Sequence, residues 1–506
     1  MSGGFNFKDL FVLDVANNHQ GDVDHGLNII RHHCAVMKKH GVRGGIKFQF
    51  RQLDTFIHPS HQRDSDNQHI PRFLSTRLDR EQYQVLFDEV KKQSFETICT
   101  PFDEESVDVI TDMGFNIIKV ASCSATDWPL LEKIAATGLP VIVSTGGLTI
   151  SQIDDLVSFF SHKGVDFALM HCVSIYPTPS EKCNLANISM LQKRYPQHAI
   201  GWSTHENPDD TAPIMVAIGH GAQMYERHIG LNTDAYKLNA YSSTPEQVGA
   251  WIIASRDAQK LSGFYDRQLP DPLETGSINT LRRGVFAKLP IKKGETISSN
   301  QVYFSMPYSE GQVGSGLWKE GIKAKADFKP DVPLLLCDVI MPPGPKFQVI
   351  KTAVHEVKAL LNLAMVHLGS EFEVEYSHHY GLAEFTKVGA VIITCINREY
   401  CKKILVQLPN QKHPEHFHKR KEETFQVLWG ELKCVVDGHQ HTLLPGDTAL
   451  VLPGVWHHFW SDTGCVFEEV STTHFSNDSV YRDNNINKMA LEERKTIVDH
   501  WGTYQI

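Results

Sequence analysis

The chain has 506 residues, 41% of them hydrophobic and 21% charged, which is globular composition in a length that asks for roughly two to four domains. A formal charge of −10 supplies no basic field for a phosphate backbone, which argues against nucleic acid as a partner. No apolar run approaches the roughly 18 residues of a membrane span, and the first ten residues lack a basic flank before an apolar run, so a cytoplasmic protein without a membrane segment is expected.

From the N-terminus to about residue 270, short runs rich in Val, Ile and Phe alternate with longer segments of helical period, the rhythm of βα units. The strands are expected at residues 11–16, 45–50, 97–102, 117–122, 140–145, 167–173, 199–204 and 224–229, with helices such as 81–93 and 245–261 between them. Eight such units fit a (β/α)8 TIM barrel better than an open sheet. Polar groups gather where these runs end: Asn17, Asn18 and His19, Lys47 and Gln49, Thr100, Lys119, Ser144 and Thr145, His171, His205 and His228. Barrel enzymes keep their chemistry at that face.

Residues 271–340 are punctuated by Pro and Gly and suit a small β-rich domain. Residues 341–370 open on Pro342, Pro343, Gly344 and Pro345 and then place Val349, Val354, Val357, Leu360, Leu361 and Met365 at helical spacing, a hinge followed by an amphipathic linker helix. Residues 371–486 alternate β-branched and aromatic residues with polar ones between turn signals, an all-β domain. The end, 487–506, is expected to be a helical tail, with the helix over 487–501. The ten cysteines stand singly with no CxxC pair, as reduced and mostly buried thiols.

The 27 histidines are the compositional outlier. His205 and His228, at the ends of adjacent strands, would point into one mouth and share one cation, leaving open positions for a Lewis-acid role; the alternative is that they only hydrogen-bond core backbone. Lys47 and Lys119 end the second and fourth strands, where a lone buried ammonium is costly unless an anion or carboxylate compensates it; an anionic substrate is the economical explanation. Ser144, Thr145, Gly146 and Gly147 offer hydroxyls and N–H groups to a phosphate.

These residues bring a family into view. Asn18-His19-Gln20-Gly21-Asp22, Lys47-Phe48-Gln49, Thr100-Pro101-Phe102, Lys119-Val120-Ala121-Ser122, Ser144-Thr145-Gly146, His171-Cys172 with Tyr176-Pro177-Thr178-Pro179, and the run from Gly201 to His205 stand in the order seen in the sialic acid synthases that condense phosphoenolpyruvate, which the first 270 residues resemble. Arg282-Arg283 and Ile291-Lys292-Lys293-Gly294-Glu295 resemble the antifreeze-like SAF domain that follows the barrel there. The resemblance implies Asp14, Lys47, Lys119, His205 and His228 as catalytic residues. It implies Gln49, Thr100, Ser122, Ser144, Thr145, Ser174, Tyr176 and Ser203 as substrate contacts, and Mn²⁺ or Mg²⁺ on His205 and His228. The substrates would be phosphoenolpyruvate and an amino-sugar aldose, the product a nonulosonate, and the assembly a domain-swapped homodimer.

Departures from the pattern fall at the sugar end. Asp14 stands for a Glu, Ser124 for an acidic residue, and Ser174 for an Asn. Residues 236–242 replace a Pro-Asp-His segment, and residues 306–316 hold no Arg. The phosphoenolpyruvate end is retained and the acceptor end is altered.

In the last domain His416 and His418 lie one residue apart on a strand and so face one side, and a carboxylate and a returning histidine can complete a three-His, one-carboxylate site. His416, His418, Glu423 and His457 are the expected ligands of Mn²⁺, Fe²⁺, Ni²⁺ or Zn²⁺, with Glu422 and His458 as register alternatives. The His-x-His-x-x-Lys-x-Glu run resembles cupins of the D-lyxose isomerase type, which implies either an aldose–ketose isomerase or a module that only binds sugar, with Lys421 either behind the metal ligands or on the substrate.

Overall fold

The computed structural model describes residues 4–62, 66–264, 268–342, 348–499 and 501. They form two compact units, Met1–Leu269 and Pro270–Ile506. No described helix is long and apolar enough to cross a membrane.

In the first unit eight parallel strands close into a barrel: β1 (Leu10–Asp14), β2 (Gly44–Phe50), β3 (Glu96–Pro101), β4 (Ile117–Val120), β5 (Val141–Ser144), β6 (Phe167–Cys172), β7 (Ile200–Thr204) and β8 (Met224–His228). Every residue of β1, β4, β5 and β7 is buried, because helices cover the outer face while side chains fill the inner one. Leu10, Val12, Ile98, Ile117, Ile142, Ala168, Met170 and Met224 form one apolar cluster at the barrel's base. Side chains on a strand alternate, so the next inward positions on the same strands are Asp14, Thr100, Lys119, Ser144, Cys172 and Glu226. The apolar floor therefore prescribes which polar residues reach the mouth. Gly201 is required in this packing, since a Cβ there would meet Met224 Cγ at 2.3 Å.

The surrounding helices start where their sequences say. Asp79 with Gln82, Thr149 with Gln152 and Thr244 with Gln247 form capping boxes for helices Arg80–Lys92, Ile150–His162 and Pro245–Ser262. Helix Val23–His40 begins on Asp22 and ends at Gly41, whose φ of 56° is the left-handed turn that glycine takes freely.

In the second unit, Gly284–Ala287 pairs with Val302–Ser305 and Lys323–Ala324 with Val339–Ile340, around a small core that includes Val285, Ile297, Val313 and Leu334. Helix Gln348–Leu363 then buries Ile350, Val354, Val357 and Leu361 against the β-domain behind it; part of the expected hinge, residues 343–347, lies outside the described residues. The β-domain has a seven-stranded sheet, which includes Glu373–Ser377, Tyr400–Gln407, Glu423–Gly430 and Cys465–Thr472, packed with a second sheet that includes His416–His418 and His457–Ser461.

The expected terminal helix over 487–501 does not form. Short helices Asn484–Lys488 and Leu491–Arg494 give way to strand Lys495–Asp499, which pairs antiparallel with Glu373–Ser377. Thr496, Ile497 and Val498 are β-branched and suit an edge of that sheet, and Lys495 Nζ meets Glu375 Oε1 at 2.8 Å. Residues 502–506 lie outside the described residues.

Candidate active site and metal centre

At the barrel mouth Lys47 Nζ lies 2.9 Å from Asp14 Oδ2 and 3.2 Å from Glu226 Oε1, while Lys119 Nζ lies 3.6 Å from Glu226 Oε2 and 2.5 Å from Ser144 Oγ. Ser203 Oγ donates to Glu226 Oε1 at 3.2 Å. The lysines are therefore not lone charges: two buried carboxylates of the same chain compensate them, where an anionic substrate was the economical expectation. Their characters nevertheless differ. Burial presses Lys47 down, but Asp14 and Glu226 outweigh it and hold the amine above its usual range. At Lys119 burial prevails over Glu226, with Lys47 adding repulsion, and the amine is eased below its usual range. Asp14, despite burial, is drawn down to about 2 by Lys47 and His228.

The rings of His205 and His228 are 5.2 Å apart. His205 Nδ1 donates to the Val173 carbonyl at 3.0 Å, and although burial opposes the charged ring, its hydrogen bond with the Cys172 side chain holds the imidazole above its usual range. His228 is pushed down to about 4, chiefly by burial; its buried Nδ1 has no hydrogen-bond partner among the described residues and lies 3.6 Å from Asp14 Oδ2. Two imidazoles with a carboxylate beside them are a donor set that fits a divalent ion with positions left over. Tyr176 and Tyr241 form an aromatic rim, with ring centroids 4.2 Å from His205 and 5.4 Å from His228 respectively.

The remaining expected contacts divide. Gln49 Nε2 donates to Asp14 Oδ2 at 3.0 Å, and Thr100 Oγ1 is buried with no hydrogen-bond partner among the described residues. Ser122 Oγ accepts from the Gly146 N–H at 3.0 Å, and Ser174 converges on the same place, since a Cβ on Gly146 would sit 2.5 Å from Ser174 Oγ and 2.8 Å from Ser122 Oγ. Thr145 Oγ1 is committed to the Met170 carbonyl at 3.0 Å, and the Gly146 N–H is already used. His171, grouped by sequence with the polar strand ends, instead bonds to the Cys183 carbonyl at 2.8 Å and stacks on Trp202. Glu226 went unassigned from sequence, although it stands two residues before His228 and so shares its face.

In the second unit the ligand atoms of His416, His418, Glu423 and His457 all lie within 4.8 Å of one another, and all four residues are buried. His457 Nε2 is 2.8 Å from Glu423 Oε1, and His418 Nε2 is 3.4 Å from Glu423 Oε2. Each Nδ1 is anchored elsewhere: His416 on the Pro414 carbonyl, His457 on the Val455 carbonyl and His418 on Ser479 Oγ. Such anchoring fixes the rings so that Nε2 faces the centre. Of the alternatives, Glu422 is exposed and His458 stacks on Trp460. Lys421 pairs with Glu423 and, at 2.8 Å, with Glu469. Burial opposes the Glu423 carboxylate, but Lys421 holds it ionised well below its usual range.

The profile of the NeuB family matches residues 36–266, and that of the cupin domain matches residues 404–468. An uncharacterised protein of Methanocaldococcus jannaschii is 34% identical over 57% of this chain and 82% of its own length. The N-acetylneuraminate-9-phosphate synthase of Drosophila melanogaster is 31% identical over 56% of this chain and 82% of its own length. The crystal structure of a putative spore coat polysaccharide biosynthesis protein E from Chromobacterium violaceum shares 44% identity, covers 66% of this chain and all of its own, and superposes with a TM-score of 0.63. With its closed eight-stranded barrel and these relatives, the chain belongs to the NeuB family of phosphoenolpyruvate-condensing synthases and carries a cupin domain at its C-terminal end.

Proposed function

We propose that the barrel joins phosphoenolpyruvate to an aldose, an N-acyl-amino sugar or a close relative, giving a 2-keto-3-deoxy acid of the nonulosonate type and phosphate. The observation that carries this is the convergence on one mouth of two buried lysines of unlike character, the Ser144 and Ser203 hydroxyls, and a pair of imidazoles beside Asp14. Lys47 stays cationic and attracts the anionic end of phosphoenolpyruvate. Lys119, bonded to Ser144, places a second ammonium whose proton is held less firmly and can follow the departing phosphate. C3 of phosphoenolpyruvate forms the new bond to the aldehyde carbon, and the aldehyde oxygen becomes a hydroxyl by taking up a proton. Water adds at C2, its proton passing to an ionised carboxylate such as Asp14, and the C2–O bond to phosphate breaks. A divalent ion, Mn²⁺ or Mg²⁺, on His205 and His228 would supply Lewis acidity toward the aldehyde oxygen.

On the same reading residues 271–340 are the SAF domain, 341–370 the linker helix and 371–486 the cupin, which acts on or binds the sugar. The buried three-His, one-Glu cluster supports a second divalent ion there and favours aldose–ketose isomerisation as a second activity. The test is phosphate release from phosphoenolpyruvate with Mn²⁺ and a panel of aldoses. Sugar-dependent release that His205→Ala abolishes is expected; no release, or release indifferent to the sugar, overturns the synthase reading.

A further inference from the structure

The inner wall of the cupin carries more charge than four metal ligands account for. Glu375, Lys403, Lys421, Glu423, Glu469 and Lys495 line one cavity together with His416 and His418. Most of these charges are tightly paired. Lys421 joins Glu423 of the three-His, one-Glu cluster to Glu469, which it meets at 2.8 Å, and Lys495 lies 2.8 Å from Glu375. Lys403 is the exception. It is buried and stands opposite Glu469 in the ladder between Tyr400–Gln407 and Cys465–Thr472, yet its Nζ is 3.9 Å from Glu469 Oε1. That oxygen is already engaged by Lys421 and, at 3.1 Å, by Ser471 Oγ. The ladder does not forbid a closer pair, since the outward neighbours Lys402 and Glu468 close to 2.9 Å. Among the described residues Lys403 Nζ makes no hydrogen bond, although an ammonium has three donors to place.

The charges on this wall, three ammoniums and three carboxylates, cancel. Its other histidines, His413 and His474, are kept neutral chiefly by burial, and imidazoles ligate in the neutral form. A divalent ion on the cluster would therefore add two positive charges that nothing on the wall answers. Uncompensated charge out of water is costly, and a six-coordinate ion held by four side chains keeps about two positions for a ligand. A neutral sugar brings oxygen donors to those positions but no charge, whereas a carboxylate brings both. Phosphate sites draw on several N–H donors at once. The wall has one ammonium to spare, so a carboxylate is the better match.

We propose that the cupin binds a sugar acid, whose carboxylate answers the spare Lys403 ammonium and the charge of the ion. This rests on the reading of the cluster as a metal site and narrows the sugar it takes to an acid. The test titrates D-mannose, D-mannonate, D-mannuronate and mannose 6-phosphate into the full chain loaded with Co²⁺, followed by calorimetry and by the visible absorption bands of the ion. Bands that are missing from His418→Ala belong to the cupin. D-mannonate or D-mannuronate is expected to shift those bands and to bind about tenfold or more tightly than mannose, an advantage that Lys403→Met reduces about tenfold. Mannose bound as tightly as the acids, acid binding that His418→Ala leaves intact, or an advantage that survives Lys403→Met in folded protein overturns the proposal, and so does tighter binding of the 6-phosphate. If Lys403→Met does not fold, the comparison of mannose with its acids in the parent chain decides. Identical bands in the parent chain and His418→Ala would mean that the cupin takes up no ion, and would overturn the metal reading and the proposal together. An ion that is held while the acids gain nothing over mannose overturns the proposal alone.

Discussion

Glu226 is the residue on which the barrel's charge balance turns. It faces Lys47 at 3.2 Å and Lys119 at 3.6 Å, and both ammoniums together hold its carboxyl below the usual range against the pull of burial. Glu226→Gln keeps the shape and removes the charge, leaving one carboxylate, Asp14, for two buried lysines. Breaking a buried pair in this way costs about 3–5 kcal/mol, so the barrel unfolding transition in the variant is expected to fall by about 10 °C. Phosphoenolpyruvate brings its own anions to the lysines and is expected to raise that transition more in Glu226→Gln than in the parent chain. Differential scanning calorimetry with and without the ligand checks both; an equal shift in the two proteins contradicts the placement of the substrate's anionic end at Lys47. The importance of Glu226 was hidden at the sequence level for a physical reason. Its partners come from β2 and β4, and only the barrel's closed register brings those strands to face β8. Asp14 and His228, by contrast, are direct partners in the β1–β8 ladder.

Elements were legible wherever a local rule agreed with the tertiary result. The eight barrel strands follow from apolar runs, and the helices between them from their helical period, because both signals are contained within a short stretch of chain. His416 and His418 share a face for the same reason, the two-residue period of a strand. The terminal segment misleads because Met489, Ala490, Leu491, Glu492 and Glu493 are good helix formers and dominate the window, while the stretch that follows is drawn into a sheet by a partner more than a hundred residues earlier. One ion pair records that capture. Glu375, against the opposing effect of burial, is lowered from 4.5 to about 2 by Lys495. Its folded value lies below its unfolded one, so the stabilisation is complete above about pH 4.5 and is lost as the pH falls toward 2; the shift corresponds to something on the order of 3 kcal/mol. Glu375→Gln is accordingly expected to be less stable than the parent near pH 7, with the gap closing between pH 4.5 and 2. Urea titrations followed by circular dichroism at a series of pH values measure this, and a gap independent of pH contradicts the assignment.

At the scale of the whole molecule, the chain has two compact units, and the proposed function assigns a metal ion to side chains in each. They differ in how complete the set is. The cupin cluster offers three imidazoles and a carboxylate with every Nδ1 anchored, a nearly closed shell that suits tight binding. The barrel offers two imidazoles, with Asp14 engaged by Lys47, so more of the coordination there falls to solvent or substrate. The cupin is therefore expected to retain its ion through dialysis against a mild chelator while the barrel releases its own. Metal analysis of the full chain after saturation with Mn²⁺ is expected to give about two ions per chain, falling to about one on dialysis. In His418→Ala the retained ion disappears while sugar-dependent phosphate release persists; in His228→Ala the retained ion stays and phosphate release is lost. An ion held a hundredfold above its dissociation constant stabilises its unit by about 2.7 kcal/mol, so the cupin transition in His418→Ala is also expected to stop responding to added metal, a readout independent of turnover. Loss of both the retained ion and phosphate release in either single variant would mean that the two sites act as one, and that the separation of the chain into two chemistries is wrong.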